Sequence, residues 1–251
     1  MLERIQHGSI LELRLARPPV NALDPALVAQ LIAAVRDAPG EGARAIVLSG
    51  APGLFSAGLD VPVLLTLDRE KLAHFWRAFF ELLSRMARCP VPIVAAISGH
   101  SPAGGAVLSI FCDYRIMAEG AYKIGLNEVQ VGLSVPPTIQ FALRRLVGAH
   151  RAERLMVAGA MIDAAEALRI GMVDELAQVD NVVPRALAWC EQHLALPPLA
   201  MAETRRQARA DLHEGIGAPG SHDVEDFVDA WYGAETQSVL KALVDRLKRP
   251  K

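Results

Sequence analysis

The sequence has little of what marks a metal centre, a secreted scaffold or a nucleic-acid binder. Its three cysteines, Cys89, Cys112 and Cys190, stand far apart and form no C-x-x-C pair. This speaks against a disulfide framework and a cysteine-based zinc site, and buried apolar thiols are expected. The seven histidines show no metal-ligand spacing, so no metal is expected. Charge is nearly balanced, with 26 Lys+Arg against 28 Asp+Glu and a net charge of -2. Neither nucleic acid nor a membrane is therefore expected as a partner, although local basic clusters could still hold a phosphorylated ligand. No apolar run approaches the roughly 18 residues that span a bilayer. The opening MLERIQHGSI carries neither an apolar signal core nor a transit pattern. A soluble protein in a reducing, cytoplasmic setting is expected.

What is present is enough apolar material for a large core. Of 251 residues, 52% are hydrophobic and 22% charged, which fits one large domain or a core with a small appendage. SILELRLAR alternates, with Leu11, Leu13 and Leu15 on one side and Glu12 and Arg14 on the other. That predicts a half-buried strand. Asp24-Pro25 reads as the N-cap and first residue of a helix, with Leu27, Leu31 and Val35 at helical spacing and Pro39-Gly40 as its stop. ARAIVLSG predicts a strand buried on both faces. A loop of small residues, APGLFSAGLD, follows it. A helix carrying Phe75, Phe79, Leu82 and Met86 leads to Pro90. VPIVAAIS then reads as a strand, GHSPAGG as a loop, AVLSIFC as a helix from Ala106, and YRIMAEG as a strand. From Thr138 onward the chain reads as almost entirely helical, with a capping box at Asp163–Glu166. Pro197-Pro198 and GIGAPGS separate the later helices.

Both small-residue loops lie between a buried strand and a helix, where open α/β architectures collect ligands. Gly104-Gly105 would let a ligand approach bare backbone, although a tight turn with close helix packing explains the pair as well. GHSPAGG lacks the spacing of a dinucleotide fingerprint and the Gly-Lys-Ser/Thr of a phosphate loop. As a hydrolase elbow it would make Ser101 the nucleophile, but the next residue, Pro102, has no N–H for an oxyanion. Ser101 is therefore read as a turn or helix-cap hydroxyl. The remaining reading is a pair of backbone donors, Leu59 N–H and Gly104 N–H, converging on one oxygen.

FSAGLD, SGHSPAGG, CDYRIMAEG and IGLNEVQVGL, in this order, resemble the crotonase (enoyl-CoA hydratase/isomerase) superfamily. RPPVNAL and AERLMVAGAMIDAAEALRIGMVDEL also fit. The resemblance implies an α/β fold with a spiral core of ββα units over residues 1–195. It implies a helical region over 196–251 that forms trimers or dimers of trimers and covers the site. It further implies an acyl-CoA thioester substrate, with coenzyme A as part of that substrate and no separate cofactor. By position, Leu59 and Gly104 supply the oxyanion donors. Asn21, Ala22, Leu23, Ala57, Gly58, Asp60, Val107 and Leu133 are the substrate-binding candidates. Hydratases of the family carry two glutamates; here one of those positions is Val107 and the other is Glu128. The single glutamate resembles the mitochondrial-type Δ3,Δ2-enoyl-CoA isomerase branch, and Glu128 is the expected base. A weak hydratase, another acyl-CoA enzyme or a non-catalytic acyl-CoA binder are the alternatives. Val107, Val131 and Leu133 are expected to exclude water and raise the pKa of Glu128. Asp60 is read as a turn or N-cap residue, Asp113 as a structural hydrogen-bonder and His100 as a surface or packing residue. Phe227 and Trp231 either line the acyl pocket or pack helices.

Overall fold

The computed structural model describes residues 1–216 and 222–248. Among these residues ten strands form two sheets. They are β1 (Leu2–His7), β2 (Ile10–Leu15), β3 (Ala45–Ser49), β4 (Gly53–Leu54), β5 (Ile93–Ile97), β6 (Gly99–Pro102), β7 (Tyr114–Ala118), β8 (Lys123–Gly125), β9 (Ile162–Asp163) and β10 (Glu175–Ala177). The larger sheet has the order β1-β2-β3-β5-β7-β10 and is parallel except for the β1–β2 hairpin. The smaller runs β4-β6-β8-β9, with β4, β6 and β8 parallel and β9 reversed.

Each coil of the chain gives one strand to each sheet and then a helix. β3 and β4 lead to α1's successors in the chain, where α1 is Pro25–Asp37, α2 is Val61–Leu64 and α3 is Arg69–Arg88. β5 and β6 lead to α4 (Gly104–Ile110), and β7 and β8 lead through a 3-10 turn (Glu128–Val131) to α5 (Pro137–Val147). This is the spiral of ββα units that the motifs imply. The remaining helices are α6 (Ala149–Val157), α7 (Ala164–Arg169), α8 (Val182–Leu194), α9 (Pro198–Ala208), α10 (Ala210–Ile216), α11 (His222–Trp231) and α12 (Ala234–Lys248). Among the described residues no helix is long and apolar enough to cross a membrane.

Local chemistry explains where the elements start. Asp24 accepts from Leu27 N–H, with Pro25 at the first helical position, and α1 ends at Asp37 just before Pro39-Gly40. Asp163 accepts from Glu166 N–H at the start of α7, but the Glu166 carboxylate turns to Arg169, so only half of the capping box forms. The strands β3 and β5 are buried along their whole length. Phe75, Phe79, Leu82 and Met86 of α3 all enter the core.

Four expectations are corrected. β2 is not half-buried: Glu12 is fully enclosed, because α8 covers that face of the sheet with Val182, Ala186 and Cys190. Ser49 Oγ (2.7 Å), Arg14 (3.1 Å) and His7 (2.9 Å) bind its carboxylate and together hold its pKa below the usual range despite burial. The start of GHSPAGG is strand β6, since the second sheet pairs Gly53 with Gly99 and Ser101 with Ile124. Helix α4 begins at Gly104, two residues before the expected start. The C-terminal part also adds two short strands, β9 and β10, to the helices. The three thiols are free and buried, and burial pushes Cys112 and Cys190 up to about 12. Most of GIGAPGS lies outside the described residues.

Asp113, at the start of β7, ties the late helices to the core. Its carboxylate accepts from Ile93 N–H (2.8 Å), takes a bidentate pair from Arg205 of α9 (2.8 and 2.8 Å) and pairs with Arg209 (2.9 Å). Arg209 is buried and also donates to the Phe111 carbonyl. Asp113→Ala leaves two arginines without their anion and should cost about 3–5 kcal/mol. Urea denaturation of the variant against the parent measures this, and a loss under about 1 kcal/mol would contradict the role.

Candidate active site

The first donor loop is fastened from behind by residues 17–23. Asn21, in the left-handed region at φ 50°, donates through Nδ2 to the Phe55 carbonyl (3.2 Å) and accepts from Arg17 N–H (2.9 Å). Ser56 Oγ donates to the Asn21 carbonyl (2.8 Å). Leu23 N–H donates to Gly58 O (2.8 Å), and Asp60 N–H donates to Leu23 O (3.0 Å). In this parallel bridge the pairing uses residues 58 and 60. The N–H of Leu59 therefore points away from Leu23, toward the other side of the loop.

The second donor loop leaves β6 through Ala103, whose φ of 44° and ψ of -117° are rare for a residue with a Cβ. Such a conformation costs about 1–3 kcal/mol and persists only where its surroundings hold it. Here Ala103 N–H donates to Gly125 O (2.8 Å), and the turn presents Gly104 as the first residue of α4. That position leaves its N–H without an intrahelical partner. Neither Leu59 N–H nor Gly104 N–H donates to a main-chain carbonyl among the described residues. The two loops touch through glycine. A Cβ on Gly58 would lie 3.1 Å from Gly104 N, and one on Gly104 would lie 3.2 Å from Gly58 Cα.

A cavity of about 530 Å3 opens beside this contact. Its lining includes Ala22, Ala57, Leu59, Asp60, Gly104, Val107, Glu128 and Leu133 of the expected site. Asn21, Leu23 and Gly58 do not line it: the Asn21 side chain is buried as a fastener, the Leu23 side chain is buried in the core, and Gly58 packs against the second loop. Phe227 lines the cavity, whereas Trp231 packs behind it against Trp76 (centroids 6.4 Å apart). Sequence reading missed Arg17, Trp76, Phe79, Asn127, Leu243 and Leu247 on the wall. Leu243 and Leu247 carry an i, i+4 signal on α12, and Trp76 and Phe79 carry an i, i+3 signal on α3; both patterns also describe plain core packing.

Glu128 opens the 3-10 turn after β8. Leu133 N–H donates to its carbonyl (3.1 Å), Gln130 donates to Gly159 O (2.8 Å) and Thr236 of α12 donates to Gly132 O (2.6 Å), so the turn is held on three sides. Its Oε2 is buried with no hydrogen-bond partner. Burial therefore raises its pKa from the ordinary 4.5 to about 7. Asp60, the other carboxylate on the wall, caps α2 through Val63 N–H (3.0 Å) and pairs with Arg17 (2.6 Å), which also reaches Asp24 (3.1 Å). His100 is exposed, accepts from Lys123 N–H (3.2 Å) and stacks edge-on with Tyr122. Ser101 is not a cap: it is buried in β6, its Oγ has no partner, and α4 has no side-chain cap. The site thus joins an isolated carboxylate poised near neutrality to two unpaired main-chain donors in an apolar chamber. Such a set can take and return a proton next to an oxygen that gains negative charge.

The sequence profile of the enoyl-CoA hydratase/isomerase family matches residues 5–248. The chain belongs to this family. It is 32% identical over 242 residues to human enoyl-CoA delta isomerase 1, mitochondrial, covering 95% of this chain and 80% of that protein. It is also 32% identical over 201 residues to the probable enoyl-CoA hydratase EchA17 of Mycobacterium tuberculosis, covering 80% of this chain and 77% of that one. Its fold matches the crystal structure of human mitochondrial delta3-delta2-enoyl-CoA isomerase with a TM-score of 0.93 at 30% identity, over 98% of both chains. The crotonase fold and the likeness to the isomerase branch are thereby established. As a member of a family acting on acyl-CoA thioesters, the protein is an enoyl-CoA isomerase or hydratase.

The sign of the Glu128 shift gives a stability test. Between pH 4.5 and 7 the folded protein keeps a proton that the unfolded chain has lost, so stability falls as pH rises through that window. Glu128→Gln removes this penalty. The variant should be more stable than the parent by about 3 kcal/mol at pH 8, with the difference shrinking toward zero near pH 4. Urea midpoints at the two pH values check it, and a pH-independent difference would refute the buried-carboxylate account.

Proposed function

We propose that the protein is a Δ3,Δ2-enoyl-CoA isomerase. Glu128 takes a proton from C2 of a 3-enoyl-CoA. The electron pair moves into a dienolate, and the thioester oxygen carries the negative charge between Leu59 N–H and Gly104 N–H. The same carboxylic acid returns the proton at C4 and leaves the 2-trans-enoyl-CoA. Atoms and electrons balance with one proton carrier, so coenzyme A enters only as part of the substrate and no separate cofactor or metal is called for.

The observation that carries this reading is Glu128 itself. It is a carboxylate on the wall with a buried, unpartnered oxygen, whereas Asp60 is engaged by Arg17 and by the start of α2. Burial sets its pKa near 7, where one group can act as base and then as acid. Val107 supports isomerisation over hydration: it lines the cavity where a second glutamate would activate water, and its side chain holds no proton. The hydratase name of the mycobacterial relative favours hydration as the second reading.

The same proposal includes a division near residue 195, a homotrimer or dimer of trimers, and a cytoplasmic location. Phe227, Leu243 and Leu247 on the cavity wall support the covering role of residues 196–251, and the three free thiols fit a reducing compartment.

Proton NMR of a 3-enoyl-CoA in D2O decides among the readings. The isomerase gives a 2-trans-enoyl product with deuterium exchange at C2 and C4, and water addition to a 2-enoyl-CoA is slow beside it. Glu128→Gln should bind acyl-CoA and lose about 10²–10⁴ in kcat. Comparable hydration and isomerisation rates, or a Gln variant with more than about a tenth of parental kcat, would overturn the assignment.

The loop contact gives a second kinetic test. Gly58 has φ +87°, and an added methyl would press on the Ala103 Cβ, Gly104 N and Pro102 O at 3.1–3.2 Å. Gly58→Ala should spread the two donors and lower kcat by about 10²-fold. A variant that folds and keeps its kcat would place the oxyanion site elsewhere.

A further inference from the structure

Among the described residues five buried side-chain polar atoms lack a hydrogen-bond partner, and three belong to residues of the one cavity: Trp76 Nε1, Asn127 Oδ1 and Glu128 Oε2. Three of five such atoms on residues lining the same cavity point to an occupant with polar groups of its own. Glu128 and its neighbour Asn127 stand together at the 3-10 turn. Trp76 comes from a different element, α3, and the reaction proposed above gives it nothing to do.

Trp76 is 2% exposed. Its ring sits among other rings, with Phe227 at 4.2 Å, Phe75 at 5.4 Å, Phe79 at 5.9 Å and Trp231 at 6.4 Å between centroids. Aromatic edges and faces supply packing and no strong acceptor, so nothing on the protein side satisfies the indole N–H. Buried indole N–H groups normally have an acceptor, and one left without a partner costs as much as a broken hydrogen bond. For a cavity that took only plain hydrocarbon chains, a phenylalanine at this position would pack as well without that cost.

We propose that Trp76 is a specificity-determining donor, and that the acyl chains this protein takes carry an acceptor oxygen beyond the reacting carbons, as an ether, keto or hydroxyl group. The proposal rests on the acyl-CoA reading of the cavity, not on which reaction follows. An oxygen placed against the apolar side chains of the wall, such as Phe79, Val107, Leu133 and Phe227, meets hydrocarbon and loses its water without replacement. Against Trp76 it gains a hydrogen bond that the empty chamber lacks.

Binding calorimetry with saturated acyl-CoAs tests this apart from turnover. A medium-chain acyl-CoA is compared with a series in which one methylene at a time is replaced by an ether oxygen. At one chain position the oxygen should tighten binding several-fold, and at the others it should weaken it about fivefold or more. Trp76→Phe should erase the gain at that position and leave the other positions unchanged. In the wild-type protein with 15N-labelled tryptophan, the Trp76 indole N–H resonance, assigned with Trp189→Phe and Trp231→Phe, should move with that analogue and not with the parent chain. This second readout holds if Trp76→Phe does not fold. Oxygen that weakens binding at every position, a gain that survives Trp76→Phe, or an indole resonance indifferent to the oxygen would overturn the proposal. A protein that binds the series as expected but moves no double bond would refute the isomerase reading alone. One that binds no acyl-CoA would refute both.

Discussion

The approach of Gly58 to Gly104 is the constraint on which the site depends. The two loops meet so closely that a Cβ on either side would lie 3.0–3.2 Å from its neighbours and would have to push them aside. Each loop leaves the large sheet, runs through a short strand of the small sheet and returns toward a helix, so the double-sheet spiral sets their spacing. The parallel bridge of Leu23 to Leu59 holds the first loop, and the strained Ala103 turn, anchored on Gly125, holds the second. The strain at Ala103 is offset by the pairing on either side of it. Its result is a helix start whose first nitrogen, on buried Gly104, lies beside Gly58.

Electrostatics divides the molecule in two. Away from the cavity, buried charges are paired: Glu12 with His7, Arg14 and Ser49, and Asp113 with Arg205 and Arg209. At the cavity Asp60 is likewise paired with Arg17, but Glu128 is left without a counter-charge or a donor for Oε2. Burial therefore does there what pairing prevents elsewhere: it lifts a carboxyl into the range where it exchanges protons near neutrality. That isolation lowers stability and makes the group useful, a trade expected where a site needs a poised acid. The Asp113 network supports it from a distance, because it anchors α9 at the root of the helices that close over Glu128 and the apolar wall.

Much of this was legible as local chemistry. The Asp24-Pro25 start, the continuous apolar strands and the aromatic stripe of α3 each depend on neighbours in sequence, and each appears where the pattern puts it. The ordered loop motifs led to the family, to Glu128 and to the two donor positions. The errors share one cause. Glu12 reads as solvent-facing until α8 covers it, Ser101 reads as a cap until β6 pairs on both edges, and Asn21 reads as a ligand contact until its amide is seen on Phe55 O. Phe79 reads as one of a helix's periodic apolar residues and Trp76 gives no separate signal, because a helix face that lines a chamber and one that fills a core have the same period.

The sequence by itself determined the elements, the small-residue loops and the single glutamate, because propensity, capping and turn chemistry act over a few residues. It also determined that no second carboxylate stands at Val107. Tertiary structure alone decided which polar groups are left without partners. Burial and hydrogen-bond satisfaction are sums over segments far apart in the chain, and Glu128 acquires its raised pKa only when β8, the 3-10 turn and α12 close around it.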